Sequence, residues 1–177
     1  MIISSFRISI LLILLLMLSG CMAYYTYWSP VAQGGRLFYG DNCSTAPSNA
    51  VEFTFGGVKI SFSGDGTMVG MALNIPEGQS VSFLSDNAVF YLPVPTKMTF
   101  DVTDVTYPST NPKDPEWLQF SPTSTLTRGH YGSRIHFGDK EREQYRIKMP
   151  AIKINNQVYE IPEIEFTRKK GFGVFCI

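Results

Sequence analysis

Val51-Glu52-Phe53-Thr54-Phe55-Gly56-Gly57-Val58-Lys59-Ile60-Ser61-Phe62 sets two alternating apolar runs on either side of a glycine pair. A two-residue turn at Gly56-Gly57 places Phe55 opposite Val58, Phe53 opposite Ile60 and Val51 opposite Phe62. Successive side chains of a strand point to opposite faces, so these six apolar side chains share one face. Glu52, Thr54, Lys59 and Ser61 share the other. Glycine supplies the positive φ that tight hairpin turns require. Turn chemistry and hydrophobic register agree, and together they predict a β-hairpin with one buried face.

The same pattern extends outward in both directions. Ser63-Gly64-Asp65-Gly66 reads as a turn or bulge, without the repeated acidic positions of a calcium loop. A second hairpin is predicted across Asp86-Asn87, setting Phe83 opposite Phe90 and Val81 opposite Leu92. Met98, Phe100 and Val102 alternate with Thr99, Asp101 and Thr103 as one half-buried strand, and Asn155-Asn156 turns a third hairpin between residues 151–154 and 157–161. Gly171–Cys176 reads as a closing strand. No segment beyond residue 21 sustains a helical period. Eight to ten short strands with frequent turn signals predict an all-β, antiparallel β-sandwich, with an immunoglobulin-like arrangement or a small barrel as the alternatives. Tyr107 to Tyr131 breaks the pattern: Pro108, Pro112, Pro115 and Pro122 among Ser and Thr predict a long loop, with one helical turn opened at Asp114-Pro115. Loops of that length are commonly functional or mobile. Its aromatics, Trp117, Phe120 and Tyr131, are either a binding patch or anchors tucked into the core.

Leu18-Ser19-Gly20-Cys21 ends an apolar run that starts at Ile8 and follows Arg7. The four residues resemble the lipobox of bacterial lipoprotein signal peptides, with Cys21 at the position those precursors carry their lipidated cysteine. The eleven residues from Ile8 to Leu18, all apolar but Ser9, would rise only about 16 Å as a helix, roughly half a bilayer core, which argues against a permanent span. The resemblance implies that residues 1–20 form a cleaved leader and that Cys21 carries acyl chains such as palmitate on thiol and amine. Several chains anchor stably where one is marginal. Met22 follows the cysteine instead of the Asp that retains Gram-negative lipoproteins at the inner membrane. The resemblance therefore implies an outer-membrane protein facing the periplasm, if the host is Gram-negative. It covers the leader alone.

With Cys21 assigned to lipid, Cys43 and Cys176 remain as an even pair in an oxidising compartment, and a disulfide between them is the economical expectation. Tyr24-Tyr25-Thr26-Tyr27-Trp28 follows the anchor directly. Such residues suit a membrane interface, seating the domain against the bilayer; equally they suit a first strand or arm packed on the domain's own core. The expected organisation is a leader over 1–20, a lipidated membrane-proximal arm over 21–35 and a sandwich domain over 36–177. Of the 177 residues, the 157 left after the leader suit one domain with a core of its own.

Charge and chemistry narrow the function by exclusion. The chain has 15 basic and 15 acidic residues, a balance that argues against nucleic acid or an anionic membrane face as the main partner. Arg168-Lys169-Lys170 reads as a solvated strand end, and Lys140-Glu141-Arg142-Glu143 as an exposed turn or strand edge. His130 and His136, six residues apart on a strand, would share a face at about 20 Å, too far for one metal ion. Glu163 and Glu165 share a face, whereas Asp101 and Asp104 do not. No serine sits in a Gly-x-Ser-x-Gly elbow and no phosphate-binding glycine loop occurs. No catalytic residue, metal or cofactor is expected. The sequence points to a non-catalytic protein-binding or structural module held in the membrane by a lipid at Cys21, with another envelope protein as partner and the 107–131 loop as the first suspect surface. The alternative is a periplasmic inhibitor or immunity protein that neutralises a toxin or lytic enzyme.

Overall fold

The Gly56-Gly57 hairpin forms in the expected register, with Phe55 opposite Val58, Phe53 opposite Ile60 and Val51 opposite Phe62. Gly56 and Gly57 take φ of 54° and 89°, the left-handed values for which glycine is suited. Five of the six apolar side chains are buried, and Phe55 is partly buried. The computed structural model describes residues 22–38, 50–105 and 118–174.

Among these residues the strands are β1 (Met22–Val31), β2 (Arg36–Phe38), β3 (Ala50–Phe55), β4 (Val58–Gly64), β5 (Met68–Ile75), β6 (Val81–Phe83), β7 (Asn87–Tyr91) and β8 (Pro95–Thr99). They continue as β9 (Val102–Asp104), β10 (Gln119–Phe120), β11 (Gly129–His136), β12 (Gln144–Lys148), β13 (Ile152–Ile154), β14 (Gln157–Tyr159) and β15 (Ile164–Val174). All pairings are antiparallel. One sheet has five strands in the order β1-β15-β12-β7-β8 and a second has seven in the order β10-β9-β11-β5-β4-β3-β2; a third, β14-β13-β6, has three. The fold is an all-β sandwich, and the sheets stay open instead of closing into the small barrel considered as an alternative. Fifteen strands among the described residues exceed the eight to ten expected, partly because one run that reads as a single strand, 98–103, is divided between sheets.

The division is clearest after residue 83. The predicted pairing of Phe83 with Phe90 across Asp86-Asn87 does not form. β6 instead pairs with β13, and its backbone is further engaged by Leu126 and Pro122. Ser85 Oγ accepts from Asn87 N, and the Asp86 carbonyl accepts from Phe100 N at 3.0 Å, so the polar turn residues redirect the chain into the five-stranded sheet. There β7 makes its hairpin with β8 across Leu92-Pro93-Val94, pairing Tyr91 with Pro95. The predicted 98–103 strand is likewise two: β8 ends at Thr99, and β9 starts at Val102 in the other sheet. Phe100 and Val102 are nonetheless buried, as their alternation implied. The Asn155-Asn156 hairpin holds, with Ile154 opposite Gln157 and Asn155 at φ 51°.

The inner faces of the sheets meet in one apolar cluster. Tyr145 on β12 is its aromatic hub: its ring lies 4.6 Å from Phe137, 5.0 Å from Phe166 and 5.5 Å from Trp28 between ring centroids. Burial strips water from the Tyr145 hydroxyl and raises its pKa, so it stays protonated and donates to the Met68 carbonyl. Tyr159 of the three-stranded sheet packs on Phe55 at 5.5 Å, which joins that sheet to the first hairpin.

The segment read as an arm enters the same architecture. β1 pairs with β15 along its whole length, and Trp28 is 5 % exposed. Residues 22–31 thus form an edge of the five-stranded sheet, ahead of the expected domain start at 36. Pro30, which has no N–H to donate, is tolerated there because β1 is an edge strand.

Candidate functional site

The two outer faces of the sandwich differ in how they are covered. On the five-stranded sheet, alternation turns Gln144, Arg146 and Lys148 of β12 outward beside Glu163 and Glu165. Arg146 pairs with Glu163 at 2.7 Å and lies 5.0 Å over the Tyr91 ring; Lys148 meets Glu160 at 3.4 Å, and Gln144 donates to Glu165 at 3.0 Å. Exposed pairs of this kind add little stability. They do leave the face cross-linked by long side chains that already have partners.

The seven-stranded sheet is bare by comparison. Its pairing aligns Arg36, Glu52, Ser61, Ala72, Gly132, Thr103 and Gln119 in one outward row across all seven strands. The next row carries Ala50, Ser63, Gly70 and Arg134. Serine, alanine and glycine occupy the middle of both rows, and longer side chains stand at the margins. The result is an open groove of about 740 Å³ floored by Ser61, Ser63, Gly70, Ala72 and Gly132, with Arg134, Asp101, Thr103, Gln119 and Val105 around it. A second hollow of about 370 Å³ continues it past Ser61 and Ala72 toward Lys59, Asn74 and His130. The groove offers hydroxyls, an arginine and a carboxylate above a flat backbone, a surface for an extended or planar ligand.

The glycines of the floor are not demanded by packing to the same degree. A Cβ at Gly132 would sit 3.7 Å from Val105 and 3.8 Å from the Met71 carbonyl, ordinary contact distances. At Gly70 it would meet Ser63 Oγ at 3.1 Å. Gly132 therefore has room for a side chain, and its absence keeps the middle of the groove open.

The groove also meets the one stretch that broke the strand pattern. Val105 donates to the His130 carbonyl at 2.8 Å and Asp104 to the Leu118 carbonyl at 3.0 Å, so the chain leaves and re-enters the described structure at the groove's rim. Val105 and Leu118 are exposed there, at 44 % and 66 %. Trp117 lies outside the described residues. The other two aromatics of the predicted patch do not stand out on a loop: Phe120 is partly buried on β10, and Tyr131 is 5 % exposed on β11, edge-on to Phe120 at 6.2 Å. Tyr131 Oη donates to the Thr127 carbonyl at 3.0 Å. Both act as anchors of the core. The second half of the predicted loop is thus strand and turn from Gln119 onward.

The remaining candidates are spread over the molecule. His130 and His136 face outward on β11, opposite Asn74 and Met68, and so stay apart on one face. Among the described residues no group of three His, Cys, Asp or Glu is placed to hold a metal. Asp65 is a turn residue: its Oδ1 accepts from Thr67 N at 2.7 Å, Thr67 Oγ1 at 2.8 Å and Met68 N at 2.9 Å, closing the β4–β5 connection. Cys21, Cys43 and Cys176, which carry the lipidation and disulfide expectations, lie outside the described residues. The groove itself was not anticipated. Its signal in the sequence is the run of small residues at alternate positions, Ser61-x-Ser63, Gly70-x-Ala72 and Gly132, which become neighbours only when three strands are in register. Comparison with protein-family models, with curated proteins and with solved structures found no match.

Proposed function

We propose that this protein is a lipid-anchored envelope module that acts by binding another protein, and that the partner docks on the bare outer face of the seven-stranded sheet. The groove floored by small residues carries the reading. A sheet face that binds nothing is ordinarily covered by long polar side chains, as the opposite face is; five neighbouring positions of Ser, Ala and Gly forgo that cover. Val105 and Gln119 line the groove, and Val105 and Leu118 are exposed, which adds these described residues to the docking face. The anchoring half of the reading rests on Leu18-Ser19-Gly20-Cys21 and its resemblance to a lipobox, which implies acylation of Cys21 and, in a Gram-negative host, an outer-membrane, periplasm-facing location.

The test is site-specific photo-crosslinking in intact cells. A photoreactive residue at Ala72 is expected to trap one protein that a photoreactive residue at Thr96, exposed on β8, does not. Ser61→Trp fills the groove and should remove that adduct at an unchanged thermal midpoint. Equal adducts from both positions, or an adduct at Ala72 that survives Ser61→Trp, would overturn the groove as the docking face.

A further inference from the structure

Among the described residues β15 is the only strand paired with β1, and its other neighbour, β12, reaches no further along it than Thr167. The six pairs from Tyr27–Lys169 to Met22–Val174 therefore form a two-stranded ribbon that runs on past the sheet. At about 3.4 Å per residue it is roughly 20 Å long. Burial along one face shows where the ribbon leaves the core. Pro30 is buried and Trp28 is 5 % exposed, yet Thr26 and Tyr24 on the same face are open, Tyr24 at 85 %. The partner strand makes the same transition. Phe166 is fully buried, Arg168 is held by Glu143 at 2.9 Å and Glu141 at 3.3 Å, and Lys170 is exposed. Lys170 lies opposite Thr26, so Tyr24, Thr26 and Lys170 share one face, while Tyr27 and Lys169 share the other. Among the described residues neither Lys169 nor Lys170 has an acidic partner within ion-pair distance, since the nearby glutamates serve Arg168.

The end of the ribbon fixes what it meets. β1 starts at Met22, the residue after Cys21, so acyl chains on Cys21 would enter the bilayer one residue from the ribbon's tip with no tether between. A phenol and an ammonium on the projecting face are the groups that settle at a headgroup layer: tyrosine places its ring among the upper acyl carbons and its hydroxyl in water, and lysine meets phosphate. We propose that the β1–β15 ribbon is a membrane-seating arm that lies along an anionic phospholipid surface through Tyr24 and Lys170, and so fixes the height and tilt of the sandwich. This rests on the anchoring reading above. The opposite face, with Lys169, supplies an internal comparison.

The experiment uses the mature acylated protein in vesicles of phosphatidylethanolamine and phosphatidylglycerol at 3:1, with a photoreactive residue at Tyr24 or, for reference, at Thr96. Mass spectrometry of the Cys21 peptide reads acylation separately. The expected result is a phospholipid adduct from position 24 and none from position 96. Lys170→Gln should lower the adduct about fivefold, the contribution of one lysine near an anionic surface, and Lys169→Gln by less. With Cys21 acylated, the absence of lipid adducts at position 24, or adducts to a second copy of the chain in their place, overturns the seating arm and leaves the anchor standing. A Cys21 peptide without acyl chains overturns the anchor and the seating arm with it.

Discussion

Asp65 shows how a single carboxylate organises a turn. Partial burial raises its pKa, but the three hydrogen bonds donated by Thr67 and Met68 more than reverse this, with His136 adding to the effect, and the carboxyl is held below its ordinary range. A group depressed in the folded state contributes stability that is present above its unfolded pKa, about 3.9, and is lost as the pH falls through the folded value. Asp65→Asn should therefore cost about 1 kcal/mol at neutral pH, at the low end for charge-assisted bonds because the site is partly solvated. Urea unfolding of wild type and variant should show that gap closing as the pH is taken below about 4. A gap that is constant from pH 7 to pH 3 would assign the effect to shape and not to charge. The turn itself was legible, since Ser-Gly-Asp-Gly signals one; the hydrogen bonds that make Asp65 necessary depend on where Thr67 falls and were not.

At the scale of elements, two hairpins read from turn residues survive and one does not, and the difference is where the backbone bonds go. Gly56-Gly57 and Asn155-Asn156 join strands whose backbone groups pair within the hairpin. Asn155 does more: its Oδ1 accepts from Ser80 N at 3.0 Å and Ser80 Oγ at 3.1 Å, and its N–H bonds the Ser80 carbonyl at 2.8 Å. The hairpin tip is thereby tied to the loop before β6. Asn155→Ala should cost about 1–2 kcal/mol, from the lost acceptor and from alanine's aversion to a positive φ. Asn155→Gly relieves only the second effect and should recover part of the loss in the same denaturant titration; full recovery would show that the side-chain bonds to Ser80 contribute nothing. At Asp86-Asn87 the flanking runs are as apolar as those of the true hairpins, yet β6 pairs with a strand some seventy residues later in the chain. Local pattern sets which residues are buried, and the competition for partners is settled by strands that are distant in sequence.

The described fold is held by close approach of its two large sheets, and Gly64 marks one place where they meet. A Cβ there would collide with the Tyr145 hydroxyl and reach 3.0 Å from Phe166 on the opposite sheet. Gly64→Ala should destabilise the fold by about 1–3 kcal/mol as an overpacked core position. Gly132→Ala, on the outer face where its Cβ would make only ordinary contacts, should change stability by less than about 0.5 kcal/mol. Equal costs at the two sites would contradict the assignment of Gly64 to the core and Gly132 to the groove. By itself the sequence determined the strand character, the burial phase of most strands, two of the hairpins and the resemblance of residues 18–21 to a lipobox. Each of these is local: alternation, turn residues and a short motif act within a few residues of one another. Tertiary structure alone decided which strands share a sheet, that Tyr131 and Phe120 pack inward, that the 22–31 segment becomes an edge strand running on into a ribbon, and that small residues from three strands line up as a groove. Those outcomes turn on pairing between segments tens of residues apart, where many partners satisfy the same alternating pattern and only simultaneous packing of all the strands selects one.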